Sequence, residues 1–242
     1  MFIMKSLKYA LPILLATLGN AVLPTAAQAF SFTPLTSFTD SDFQNEVSSG
    51  AFTELFVTES RIGNNANNGD RELGINTATG APVAQGQYKW LSGTASDFLL
   101  QYDGSKVTYS VDGIALSSMA FTGDVSKIFI RTRGSGGNKP LGSVALTNLF
   151  FNGQAYTPGL TSNGTNSGAD VDYLAITDIT SPFTLTGKST FTFGNATPSG
   201  SQLAYQFKVG TTPSEAVPEP ATILGLAMVF GLGTGLKRKL AA

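Results

Sequence analysis

The segment from Gln202 to Val209 alternates polar and apolar residues. Leu203, Tyr205, Phe207 and Val209 fall on one side, and Gln202, Ala204, Gln206 and Lys208 on the other. A period of two sends successive side chains to opposite faces of an extended backbone, so this segment is predicted to be a half-buried strand. Lys106–Val111 repeats the pattern, with Val107, Tyr109 and Val111 against Lys106, Thr108 and Ser110. Strands are also predicted at Ala51–Thr58, Tyr88–Leu91, Asp97–Tyr102, Lys127–Arg131, Val144–Phe151, Val171–Thr177 and Phe183–Phe193, the last in two pieces broken at Gly187. Asp103-Gly104-Ser105, Asp112-Gly113 and Asn152-Gly153 are tight-turn signals, because glycine accepts positive φ without a Cβ clash. Arg61–Gly69, the stretch punctuated by Gly80, Pro82 and Gly86, Gly134–Pro140 and Thr157–Ala169 read as loops. Phe30–Val47 is predicted to hold an opening strand or a loop, and no helix is expected between Phe30 and Ala216. About eight to eleven short strands with turns between them predict an all-β fold, an antiparallel β-sandwich of Greek-key or jelly-roll type.

The chain has no cysteine and no histidine. A Ser-His-Asp or Cys-His nucleophile system is therefore excluded, as are thiolate and imidazole metal sites. A bound metal would have to take oxygen ligands. Between Phe30 and Ala216 there are ten basic and fifteen acidic residues. That balance disfavours nucleic acid as a partner, since phosphates need a basic surface.

Both ends are directed at a membrane. Lys5 and Lys8 precede the apolar run Tyr9–Leu18, and Ala27-Gln28-Ala29 is a small-x-small site. This is the pattern of a secretory signal peptide cut between Ala29 and Phe30. At the other end, Pro218-Glu219-Pro220 is followed by uncharged residues from Ala221 to Leu236 and then by Lys237, Arg238 and Lys239. As a helix, the uncharged run is about 24 Å long, a short single transmembrane span against a bilayer core of about 30 Å. The basic cluster holds that end in the cytoplasm and leaves the body outside. The expected organisation is a signal peptide at 1–29, a sandwich ectodomain at 30–210, a linker at 211–216 and a sorting and anchor segment at 217–242.

In its order of Pro-Glu-Pro, short glycine-rich apolar run and basic terminus, the tail resembles the PEP-CTERM sorting signal. The resemblance covers Val217–Ala242. It implies that the anchor is temporary, and that an exosortase-type membrane protease reads Pro218, Glu219 and Pro220. Phe98–Leu116 resembles the paired hairpins of concanavalin-like and laminin-G-like sandwiches. The body, through residues 56–75 and the single Trp90, resembles the W type of the choice-of-anchor ectodomains. That likeness implies no activity.

Three clusters are candidate sites. Asn64, Asn68, Asp70 and Glu72 form an oxygen-rich loop suited to calcium, although EF-hand spacing fails at Ala66 and Ile75. The alternative is structural, with asparagines serving turns. Asp170 and Asp172 alternate with Val171 and share one face, as a metal pair or a solvated strand edge. Tyr88 and Trp90, with Tyr102 and Tyr109, would make a sugar-stacking platform, or simply core. The expected function is that of an exported, non-catalytic surface or matrix protein associated with exopolysaccharide. A lectin-like carbohydrate-binding module and a secreted carboxylate-dependent hydrolase are the alternatives.

Overall fold

A computed structural model describes residues 30–63, 72–180 and 182–213. Ala27 and Ala29 of the expected signal peptide, Asn64, Asn68 and Asp70 of the expected calcium loop, and the tail from Val217 to Ala242 lie outside the described residues. Among the described residues no helix is long and apolar enough to cross a membrane.

In chain order the elements begin with β1 (Ser31–Leu35), α1 (Asp40–Ser48), β2 (Thr53–Arg61), β3 (Leu73–Thr77), β4 (Pro82–Gly86), β5 (Ala95–Tyr102), β6 (Val107–Val111) and β7 (Ile114–Ser118). They continue with β8 (Lys127–Gly134), β9 (Gly142–Phe151), β10 (Gln154–Tyr156), β11 (Leu160–Asn163), β12 (Asp170–Thr177), β13 (Phe183–Phe193) and β14 (Ala204–Thr211). The first sheet runs β1-β12-β8-β14-β2-β3-β4. The second runs β10-β9-β13-β5-β6-β7, with β11 also paired to β9. The neighbouring strands are antiparallel throughout both sheets. The architecture is thus all-β and sandwich-like, with one shared core.

That core follows from the alternation in the sequence. Tyr205, Phe207 and Val209 of β14 are fully buried and meet the inward residues of the opposing sheet. Ring centroids of Phe207 and Phe98 are 5.1 Å apart, and those of Phe56 and Tyr102 are 5.4 Å apart. Each such ring removed from water contributes about 2–3 kcal/mol. One polar joint crosses the core. The Tyr109 hydroxyl lies 2.5 Å from Ser60 Oγ and donates to the Tyr205 hydroxyl at 3.1 Å.

The turn signals behave as their chemistry predicts. Asp112-Gly113 links β6 to β7 and Asn152-Gly153 links β9 to β10, and all four residues have positive φ. The Asp103 carboxylate closes the β5–β6 turn by accepting from the backbone amides of Ser105 and Lys106.

Several expectations need correction. β13 is one continuous strand. Gly187 marks a register shift against β9 while pairing with β5 runs through unbroken. A Cβ there would lie 2.8 Å from the Phe98 ring, so the glycine admits close packing and does not break the strand. Pro82–Gly86, expected to be loop, is β4. It is an edge strand, where proline's missing amide costs no ladder bond. Tyr88–Leu91, expected to be a strand, is instead part of the link from β4 to β5, which crosses between the sheets. Within the loop expected at 157–169, Leu160–Asn163 forms β11.

The helix α1 was not expected either. Its start is a capping box in which Thr39 Oγ1 accepts from the Asp42 amide and the Asp42 carboxylate accepts from the Thr39 amide. Only Phe43 of its nine residues is buried, so there is no apolar period to read. Phe43 packs with Phe52, Phe129, Tyr173 and Ala175 in a second cluster, which places α1 on the outer face of the first sheet.

Candidate functional site

Pairing across β12, β8, β14 and β2 sets side chains in rows on the outer face of the first sheet. One row is Tyr173, Arg131, Gln206 and Glu59. The next is Arg133, Ala204 and Arg61. Alternate residues of a strand share a face, so Arg131 and Arg133, or Gln206 and Lys208, necessarily stand side by side. Ala204, the shortest side chain in its row, leaves the floor low between two arginines. Helix α1 with Asp40 and Phe43 closes one side, and Ser201 reaches in from the approach to β14. The result is a polar groove of about 300 Å³.

Its charges are arranged as pairs with one exception. Arg131 donates from Nε to Asp40 Oδ1 and from Nη2 to Asp40 Oδ2, both at 2.6 Å. The Tyr173 hydroxyl donates to the same Asp40 Oδ1 at 2.7 Å. Burial pushes the Asp40 carboxyl up, but Arg131 more than offsets this and holds it below its ordinary value. Burial likewise pulls the Arg131 guanidinium down, and Asp40 reverses the effect. The Tyr173 phenol is raised far above its ordinary range, first by burial and then by its bond to Asp40. Arg61 lies 3.4 Å from Glu59 and donates to Ser201 Oγ at 3.1 Å. Gln206 donates its amide to Glu59 Oε2 at 3.1 Å.

At the far end Lys208 and Glu54 are 3.7 Å apart, too far for a hydrogen bond. Burial lowers the lysine and raises the carboxyl, each only partly opposed by the other's charge. Lys208 also lies 4.3 Å above the Phe43 ring.

Arg133 is the exception. Among the described residues no carboxylate stands at ion-pair distance from it. Its Nη2 donates to Gln202 Oε1 at a long 3.3 Å, and its Nε is sealed from solvent with no partner. The groove therefore carries one cation in excess.

The residues singled out in the sequence lie elsewhere. Trp90 is 7% exposed, with its ring 4.2 Å from that of Phe191. Tyr102 and Tyr109 are buried. Tyr88 is part-buried, and its hydroxyl is shared between the Asp112 carboxylate and Ser96. These four rings do not form an open stacking platform, because the inward positions of β5 and β6 and the link carrying Trp90 all fill the core. Glu72 is also buried, with both carboxylate oxygens accepting from the Gly63 amide, at 3.1 and 2.8 Å.

Asp170 and Asp172 do come to one side, where β11 meets β12. Asp170 accepts from the Asn163 amide at 2.7 Å and Asp172 from Ser162 Oγ at 2.8 Å. Burial raises the Asp172 carboxyl, Ser162 opposes that, and the like charge of Asp170 adds to it. Among the described residues no group of three or more acidic side chains is placed to hold a metal ion.

The groove was missed because its cations come from β2, β8 and β14, distant in sequence and joined only by the sheet. The readable signal was local: basic or amide residues two apart on a strand, as in Arg131 and Arg133 or Gln206 and Lys208. No protein-family model matches the chain, and no curated protein matches it in sequence.

Proposed function

We propose that this chain is an exported, non-catalytic protein of the cell surface or extracellular matrix, sorted by a PEP-CTERM-like tail. The observation that carries the reading is the order of Pro218-Glu219-Pro220, the uncharged run Ala221–Leu236 and Lys237-Arg238-Lys239. Six steps along the chain separate Thr212, whose amide donates to Ser126 Oγ at 2.8 Å, from Pro218. Fully extended, they reach about 20 Å. That is enough chain for an exosortase-type protease to take hold of the motif without unfolding the body.

The non-catalytic part of the reading is supported by how the acidic groups are occupied. Asp40 holds Arg131 and Tyr173, Glu72 caps the Gly63 amide, and Asp170 and Asp172 hold β11. Two seven-stranded antiparallel sheets also suit a concanavalin-like or jelly-roll sandwich and a choice-of-anchor ectodomain.

The test is intact-mass measurement on protein recovered from producing cells. The expected species begins at Phe30 and lacks the basic terminus. Replacing Pro218→Ala together with Glu219→Ala should leave a membrane-bound form that keeps its tail. Normal processing of that double variant would overturn the sorting reading.

A further inference from the structure

The groove on the first sheet carries an inference that does not depend on the tail. We propose that it binds a carboxylate-bearing sugar unit, a hexuronate, with the carboxylate held by Arg133.

The argument begins with charge. The folded body is acidic, yet four of its ten basic residues, Arg61, Arg131, Arg133 and Lys208, line one groove. Glu59, Asp40 and Glu54 stand within 4 Å of the first, second and last of these. Among the described residues, the long bond to Gln202 is the sole hydrogen bond from Arg133 to a side chain. A partly desolvated guanidinium without a counter-ion attracts an oxyanion, and its planar fork suits a carboxylate best.

The second argument is the shape and chemistry of the rest. A volume of about 300 Å³ admits one pyranose ring and little more. The remaining lining offers hydroxyl and amide groups from Ser201, Gln206 and Gln44, with the buried side chains of Tyr173 and Phe43 at one wall. Groups that both donate and accept match ring hydroxyls. A bare inorganic anion would use the guanidinium and gain nothing from these groups.

The supports are rigid. Arg131, which lies between Tyr173 and Gln206 in its row, is 8% exposed and doubly bonded to Asp40. Arg133 stands two residues further along the same strand, paired to Ala204 and Val171. The site is therefore built on sheet positions and needs little ordering when a ligand arrives.

The experiment is titration calorimetry on the purified full chain in mild detergent, with glucuronate, glucose, acetate and inorganic sulfate as probes. Glucuronate should bind saturably with a Kd of about 1 mM or tighter. Glucose and acetate should each bind at least about tenfold more weakly, since each lacks half of the recognised chemistry. Arg133→Gln should weaken glucuronate about tenfold or more while leaving the Tm unchanged. Should that variant fail to fold, Gln206→Glu carries the test, because it places a carboxylate in the groove and should weaken glucuronate by a similar factor. Absence of glucuronate binding up to about 10 mM, or equal binding by the variant that folds, overturns the proposal. Acetate or sulfate binding as tightly as glucuronate overturns the sugar assignment, and glucose binding as tightly overturns the role of Arg133. None of these outcomes touches the sorting of the tail, which is read by mass and not by affinity.

Discussion

The two sheets share a core but differ in what they do with their other face. In the second, β5, β6 and β13 alternate between buried and wetter positions almost without fault. Their outward residues include Thr184, Thr186, Lys188, Thr190, Gln101, Thr108 and Ser110, and among the described residues no helix covers them. In the first sheet the middle of β8 is buried on both sides, from Ile128 through Thr132, and β12 is buried from Tyr173 through Ile176. There α1 and the cluster around Phe129 cover part of the outer face, and the charged groove occupies the part beside it. A covered face can hold side chains in fixed geometry, whereas a bare one mostly keeps the protein in water. The candidate site is on the covered sheet for that reason.

The largest test of this contrast is Phe129→Ala against Thr190→Ala. Phe129 points outward from the first sheet, but its ring packs 5.0 Å from Phe52 and 5.4 Å from Phe43. Removing it should cost about 4 kcal/mol, the scale of a true core aromatic. Thr190, outward on the second sheet and part-exposed, should change stability by less than about 0.5 kcal/mol. Urea unfolding measures both. Similar costs at the two positions would erase the distinction between the faces.

This contrast also explains how much was legible beforehand. A strand with one dry and one wet face announces itself by alternation, so the hairpins around Asp103-Gly104 and Asp112-Gly113 were readable. Ile128, Phe129 and Ile130 run together because both faces are covered, so the sequence marks a strand but not which side carries which neighbour. Insertion of β14 between β8 and β2 leaves no local trace, yet it alone brings Arg61, Ala204 and Arg133 into one row. Trp90 misled for the opposite reason. A lone indole among tyrosines has the same composition in a core as on a binding face, and here it lies against Phe191.

A smaller effect is expected where the covered face holds charge imperfectly. Glu54 and Lys208 stand 3.7 Å apart with their side chains mostly buried, and among the described residues Glu54 Oε2 has no hydrogen bond. Coulomb attraction at that spacing does not repay the desolvation of both groups. Lys208→Met alone should cost about 3 kcal/mol, because it leaves a buried carboxylate without a cation. Adding Glu54→Gln should restore the stability or exceed the wild type by about 1 kcal/mol. A double-mutant cycle in urea reads the coupling. If the double variant were as unstable as the sum of the singles, the pair would be a net support of the covered face.

The smallest effect concerns the contact that ties the helix to the sheet. Asp40 bonds Arg131 on both carboxylate oxygens, but its own side chain is 53% exposed, so solvent screens much of the attraction. Asp40→Asn should therefore cost about 1 kcal/mol or less at pH 7. Its signature is the pH dependence. The folded carboxyl titrates below the ordinary value of 3.8 because Arg131 overcomes the effect of burial. In the unfolded chain the same group takes up its proton at higher pH, so between the two values the unfolded state binds more protons and stability falls as pH drops. The contribution is complete above the ordinary value and disappears as pH drops through the folded one. The gap between wild type and Asp40→Asn should stay constant from about pH 7 to 5 and close below about pH 4. A gap that survived unchanged at about pH 3 would mean that Asp40 holds α1 in place as a neutral acceptor. The covered face would then depend on helix geometry and not on the ion pair with Arg131.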